Sequence, residues 1–363
     1  MKKSLLIICI LIISYMNNII AQNTDYLFMV EQAVKAPSGH NTQPWLFKIN
    51  DSSIEIHPNF ERSLPIVDPD NRELFISLGC ALENLCIAAY CKGYNSEVTI
   101  SGDGIITIVL AKNSLASDSL LQEQSALSIR QESNSTRQES NDFLLEQIAV
   151  RQTNRSVYNK KKISSDTINL LKTISSEDGI KIYFYENGTP DFDSISGCVL
   201  KGNTVQMQDE AFRAELKSWM RYNKKHQDKT NDGLSYAVFG APNLPMFIVK
   251  PIMSGYINEK KQNKGDIEKM QSSSHFVLFT TQDNAIEQWI NLGRTLERFL
   301  LKSTGLNIIH AYLNQPNVIK DLSLQMLKAL NITEEYPAVL IRIGYGEKLP
   351  YSKRKDINEV MLN

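Results

Sequence analysis

The segment Ala33–Ile49, AVKAPSGHNTQPWLFKI, sets Ser38, His40, Asn41 and Gln43 between Pro37 and the pair Pro44-Trp45. Short polar side chains on a loop braced by prolines give fixed hydrogen-bonding groups. A planar heterocycle or a sugar-like chain needs such groups, and so does the local capping of a helix end and turn by Ser38 and Asn41. Two basic clusters accompany the loop. Arg151, Gln152, Thr153 and Arg155 fall in VRQTNRSVY, and Lys353, Arg354 and Lys355 follow the last strand-like run. Guanidinium forks match phosphate oxygens and lysine adds point charge. Each cluster alone reads equally as solvated surface; with the loop, the two point to a phosphorylated, hydrogen-bond-rich cofactor. No GxGxxG turn or GxxxxGK[ST] loop is present, so neither a Rossmann site nor a P-loop is expected. His40 is the one titratable group in the loop and reads as structural, so no catalytic side chain is assigned. No CxxC or His/Cys pair has metal-ligand spacing, and no metal site is expected.

The elements that must position these groups follow from apolar periodicity. A helix over about 25–35 sets Leu27, Val30 and Val34 on one face and stops at Pro37. WLFKI and SIEIHP read as strands about the turn Asn50-Asp51, and a helix over about 72–92 ends at Gly93 as a left-handed cap. EVTISGDGIITIVLAK reads as a hairpin about Gly102-Asp103-Gly104. Further helices are expected from 143 to 150, after Ser164-Ser165-Asp166, from Glu210 to Tyr222 and from Ala285 to about Leu306. IKIYFYE, HFVLFTT and PAVLIRIGYG read as strands. The two longest helices echo each other: Leu78, Gly79, Leu82 and Glu83 match Leu292, Gly293, Leu296 and Glu297 at the same spacing. The cap Gly93 matches Asn307.

The chain has 363 residues, net charge −1 and 22% charged residues, which argues against a nucleic-acid partner. Lys2 and Lys3, the apolar run Leu5–Tyr15 and Ala21 have the layout of a secretory signal. The run is short for a bilayer span, so cleavage after Ala21, an exported (periplasmic or extracytoplasmic) location and no lasting membrane span are expected. Cys80, Cys86, Cys91 and Cys198 then remain, and alternation with Leu and Ala reads the first three as buried free thiols. Residues 113–142 turn polar and carry the tandem SIRQESN and STRQESN, the pattern of a solvated linker.

APSGHNTQPWLF resembles the APSxxNxQPW segment of the FMN-dependent nitroreductase superfamily, RQTNRSVY its RRSxRxF element, and YPAVLIRIGYGEKLPYSKRKDINEV its terminal strand and basic tail. In ordinary members RRSxR comes first, within about forty residues of the other segment in the family pattern. Here the order is reversed and the two lie on opposite sides of the linker. That order, the stretch DPDNRELFISLGCAL (68–82) and HAYLNQP (310–316) are similar to the single-chain, duplicated Acg-like branch. The resemblance implies an α+β nitroreductase-like fold of two fused lobes, each a mixed or antiparallel sheet flanked by helices. The implied division is 1–21 signal, 22–112 first lobe, 113–142 linker and 143–363 second lobe, with a lid insertion at 222–272.

It further implies one FMN per chain at the joint. Arg151, Thr153 and Arg155, beside Gln152, would hold phosphate, ribityl and the flavin O2/N1 edge, and Arg354 with Lys355 or Lys353 would complete the phosphate site. Ser38, Asn41 and Gln43, beside His40, would reach across from the first lobe. His310 and Ala311 would meet the N5/O4 edge through backbone groups. Activity would pass hydride from NAD(P)H or another donor to a small organic acceptor in a monomer. The competing expectation is an FMN-sequestering protein with a closed lid and little turnover.

Overall fold

The computed structural model describes residues 22–113, 141–255 and 257–362. The signal and all but the ends of the polar linker lie outside the described residues. Helix α1 (22–33) leads through the proline-braced loop into β1 (Trp45–Ile49) and β2 (Ser53–Pro58). The helix α2 (Arg72–Cys91) then precedes the hairpin β3 (Tyr94–Ile100) and β4 (Ile106–Lys112). These strands make an antiparallel sheet in the order β1-β2-β4-β3.

The second half opens on α3 (141–150), α4 (Ser165–Lys172) and β5 (Ile180–Glu186). Ser164 Oγ accepts the Thr167 amide, which caps α4 as the serine run implies. The long helix α5 (Pro190–Gln208) and α6 (Glu210–Ser218) follow. The amphipathic run from Glu210 ends at Ser218 rather than at Tyr222, because β6 (Met220–Arg221) pairs in parallel with β7 (Leu234–Ser235) around α7 (Lys224–Thr230). Next come α8 (Met246–Ser254), α9 (Glu259–Ser272) and β8 (His275–Thr281), a strand buried at every position. The helix α10 (Ile286–Gly305), β9 (Ile309–Tyr312), the short helices α11 (Gln315–Val318) and α12 (Lys320–Ala329), and β10 (Tyr336–Gly344) complete the body. Their sheet runs β5-β8-β10-β9, again wholly antiparallel. Strand for strand this is the connectivity of the first sheet, with α10 in the place of α2.

The two sheets meet through α2 and α10. A Cβ on Gly79 would lie 2.0 Å from the Ile290 carbonyl oxygen, and one on Gly293 would lie 2.1 Å from that of Ile76. Each glycine thus touches the residue three before the other, so the crossing is two-fold in character and only glycine fits at its centre. Around it Phe75 stacks on Trp289 at 6.1 Å, and Leu78, Leu82, Leu292, Leu296 and Phe299 fill the shared core. Both helices end in left-handed residues, Gly93 (φ 78°) and Asn307 (φ 58°). Cys80 and Cys198 are buried and Cys86 and Cys91 half-buried, all free thiols.

After β10 the chain crosses to the first lobe. The Phe47 amide donates to Val360 at 2.8 Å and the Leu362 amide to Phe47 at 2.7 Å, so the C-terminal segment runs along the outer edge of β1.

Gly79→Ala and Gly293→Ala should each lower stability by about 1–3 kcal/mol or more, since backbone rather than side-chain tips must yield. Gly93→Ala meets open space and carries only left-handed strain of about 1–2 kcal/mol. Urea midpoints of the three variants check the order.

Candidate functional site

The loop expected to do chemistry holds an uncommon backbone: His40, Asn41 and Gln43 take φ of 47°, 58° and 54°. Asn and His tolerate this region, whereas Gln43 is held there by its surroundings. Ser38 Oγ accepts the Gln43 amide at 3.0 Å and closes the loop on itself. The two amide side chains then reach outward. Asn41 donates to the carbonyls of Gly233 (3.2 Å) and Lys353 (3.1 Å) and accepts from Arg354 Nη1 (2.8 Å). Gln43 donates to Asn231 O (2.9 Å) and accepts the Lys355 amide (2.8 Å). One loop thereby ties together the C-terminal strap and the 231–233 turn.

Two guanidiniums converge on the end of α1. Arg151 Nη2 donates to Lys35 O at 2.9 Å, and Arg354 Nη2 to Ala36 O at 3.2 Å. Cations belong at this end of a helix, where carbonyls lack partners. The Arg151 segment is itself set against β9: Thr153 bridges His310, and the Asn154 amide donates to the His310 carbonyl at 2.7 Å. Gln152 closes a two-way amide contact with Leu349, at 2.9 and 2.6 Å. Buried Arg342 supports the turn from below, donating to Asn154 O (3.2 Å) and Ser156 O (2.7 Å) while lying 3.9 Å from the Tyr158 ring centroid. Arg155 faces Phe239 at 5.9 Å. Ala311 is buried and pairs with Arg342 in the sheet.

All twelve sequence-selected residues therefore lie around one joint, but they differ in what they present to it. Arg151, Arg155, Arg354, His40 and His310 turn side chains inward. Asn41, Gln43 and Gln152 spend their amides on the scaffold. The ammonium groups of Lys353 and Lys355 turn away, to Asp228 (3.3 Å) and Glu359 (2.8 Å). Of the basic triplet, only Arg354 enters the joint.

A residue singled out only for its place in the helix echo proves central. Glu297 on α10 is fully buried, with Oε1 3.3 Å from Arg151 Nε. The angle is too poor for a hydrogen bond, and among the described residues neither carboxylate oxygen, nor Arg151 Nε, nor Arg354 Nε, nor either ring nitrogen of His310 meets hydrogen-bond geometry with a partner, although Asn84 lies close enough to favour the ionised carboxylate. Its two-fold counterpart Glu83 is saturated: Arg294 Nε at 3.1 Å, Arg298 Nε at 2.6 Å and Nη2 at 2.9 Å, with Glu177 closing the network on Arg298 at 2.6 Å. Where Glu83 meets Arg294 and Arg298, Glu297 has Cys80 and Asn84 as neighbours.

The chain aligns over 337 residues with a candidate NAD(P)H nitroreductase of Mycobacterium tuberculosis H37Rv, Rv3131, at 22% identity, covering 91% of this chain and 88% of that protein. The chain is thus similar over nearly its full length to a protein described as a nitroreductase. A shorter match, 32% identical over 71 residues, joins it to the uncharacterised protein Rv3127 of the same strain, covering 18% of this chain and 21% of that protein. No family model matches. Solved structures similar to it include the FMN-dependent nitroreductase NfnB of Mycobacterium smegmatis in complex with NADPH (11% identity, 58% of this chain and 88% of that chain, TM-score 0.37). Another is iodotyrosine deiodinase bound to FMN and 3-iodo-L-tyrosine (12% identity, 59% and 95%, TM-score 0.38).

Charge at the joint is strongly one-sided. Burial, then Arg155, pushes His40 down to about 4. Burial, then Arg151, Arg155 and Arg342, holds His310 well below the ordinary imidazole range. Arg354 falls to about 9 through burial and the facing Arg151. Burial raises Glu297 to about 7 in spite of Arg151. Glu73, packed under Gly39, is likewise raised to about 7 by burial and then by Asp68.

These shifts oppose each other in stability. Between about pH 4.5 and 7 the folded chain binds more protons at Glu297 than the unfolded chain, so this group makes stability fall as pH rises, by about 3 kcal/mol in all. His40 and His310 are neutral when folded and protonated when unfolded at mildly acid pH, so they make stability rise with pH up to about 6.5. In Glu297→Gln the first effect vanishes. Its stability minus that of the wild type should grow with pH by up to about 3 kcal/mol and level off above about pH 8. Urea unfolding at a pH series, on protein stripped of small molecules, checks it; a pH-independent difference would refute the buried-carboxyl account.

Proposed function

We propose that the joint binds one FMN per chain and that the protein is an FMN-dependent oxidoreductase of nitroreductase type. It would take electrons from NAD(P)H or another donor and pass them to a small organic acceptor. The observation that carries this reading is the unbalanced charge: Arg151 and Arg354 face the buried Glu297, Arg155 adds a third guanidinium beside His40 and His310, and among the described residues Arg151 Nε and Arg354 Nε have no hydrogen-bond partner. Buried charge without a counter-ion is costly, and a phosphate supplies both the charge and the acceptors. The partnerless oxygens of Glu297 suit a donor such as a ribityl hydroxyl. FMN when bound supplies the hydride chemistry. The chain's part is to hold and shield it. Arg151 and Arg354 grip the phosphate, Arg155 offsets negative charge on the ring, and Phe239 keeps water from Arg155.

Three finer points belong to the same proposal. The shared connectivity of the sheets and the glycine crossing support reading the chain as a monomeric, single-chain equivalent of a two-subunit nitroreductase. Arg294 and Arg298 fill the position related to the FMN joint by the two-fold, which accounts for one flavin rather than two. The N-terminal signal pattern supports an exported protein, with the mature chain starting at Gln22.

Purified protein should release FMN at about one per chain; FAD, two per chain or none would overturn the reading. Arg151→Ala and Arg354→Ala each remove a charge-assisted contact of about 1.5–3 kcal/mol and should weaken FMN binding about 10- to 100-fold, more so as salt rises. Arg298→Ala should leave flavin content unchanged. Flavin fluorescence titration at two salt concentrations measures the first effect. Oxidation of NADH and NADPH with a quinone or nitroaromatic acceptor measures turnover.

A further inference from the structure

The segment that covers Arg155 carries an apolar surface that neither the joint nor the fold uses. Within residues 239–252 six large apolar side chains stand exposed: Phe239, Leu244, Met246, Phe247, Ile248 and Ile252, with Phe247 at 78% and Ile252 at 54%. The other exposed large apolar residues are spread along the chain. The helix α8 is held to the body by Val249 and Met253, which pack with Met220 and Tyr222. Its opposite face is therefore as apolar as its buried one, an arrangement water does not favour.

Most of the charged side chains around it are lysines. Between Asp232 and Glu259 the only charged residue is Lys250, on α8 itself. At one end α7 flanks the patch: Asn223 Nδ2 donates to Leu244 O at 3.3 Å and the Lys224 amide to Asn243 Oδ1 at 2.9 Å. This brings exposed Lys224, Lys225 and Lys229 alongside. At the other end Lys261 Nζ donates to Gly255 O at 2.8 Å, with exposed Lys260 beside it. Asp232 is withdrawn into ion pairs with Arg62 and Arg221, and Asp228 is paired to Lys224 and Lys353.

We propose that this face docks on an anionic lipid bilayer, with Phe247, Ile248 and Ile252 entering the headgroup boundary and the lysines meeting lipid charge. A protruding apolar helix ringed by lysines is the composition that lies in a membrane interface. The same ring opposes pairing with a second copy through this face, because like charges would meet. Docking sets the cover of the joint against lipid, which suits an apolar acceptor carried in the bilayer.

The test uses the chain from Gln22, as purified, so that the N-terminal apolar run plays no part. Wild type should co-sediment with vesicles containing about 30% phosphatidylglycerol at least about tenfold more strongly than with pure phosphatidylcholine. Phe247→Ser/Ile252→Ser, and separately Lys224→Ala/Lys225→Ala, should lose most of that binding. Unchanged thermal melting and flavin content confirm that both variants fold. Absence of binding to anionic vesicles, equal binding to both lipids, or retention by the Phe247/Ile252 variant would overturn the proposal. So would a dimer in light scattering that the same substitution abolishes, since the face would then belong to a second copy.

Discussion

Everything in this molecule hangs on two glycines. Gly79 and Gly293 let the backbones of α2 and α10 touch where any side chain would meet a carbonyl about 2 Å away. That contact fixes the distance between the sheets and the register in which the helices cross. The register in turn decides which residues of one helix look at Glu83 and which look at Glu297. Leucines and aromatics around the crossing supply burial, but burial is tolerant of sliding. The glycine contact is not.

The crossing makes two related positions, and the sequence has treated them oppositely. At one, two arginines and Glu177 satisfy Glu83, giving a closed ionic network that stitches the lobes together. At the other, thiol and amide side chains replace the arginines, and Glu297 faces Arg151 with polar valences left over on both sides. Buried polar groups in folded proteins are normally satisfied. Local concentration of exceptions at one joint, beside a loop with three positive φ values, is the pattern of a place organised for something other than stability.

Much of this was legible in residue types. Pro37, the polar loop, the Arg-rich turn and the basic tail are local signals, and the long helices and their caps follow from periodicity and from Gly93 and Asn307. What the sequence hid was direction. Nothing local says that Lys353 and Lys355 turn outward while Arg354 turns in, since that depends on Asp228 and Glu359 being near. Nor does spacing reveal that Asn41 and Gln43 spend their amides on Gly233 and Asn231, some 190 positions away. Glu297 was visible only as one half of an echo; its isolation follows from Cys80 and Asn84 standing where the partner helix has arginines. The helix from Glu210 was read four residues too long because its end is set by a two-residue parallel pairing that leaves no pattern.

The C-terminal strap has a consequence for how the molecule is made. In the finished protein residues 360–362 cover the outer edge of β1, near the beginning of the chain. While the polypeptide is being synthesised that edge has no cover, because its partner residues 360–362 come some 310 positions later in the chain. The first sheet must therefore wait, with an open row of backbone donors and acceptors, through the making of the rest of the protein. Open strand edges are where chains pair wrongly. The placement thus makes the newborn chain a natural client for a holding chaperone, and leaves any product truncated near its end both incomplete at the joint and adhesive at its edge.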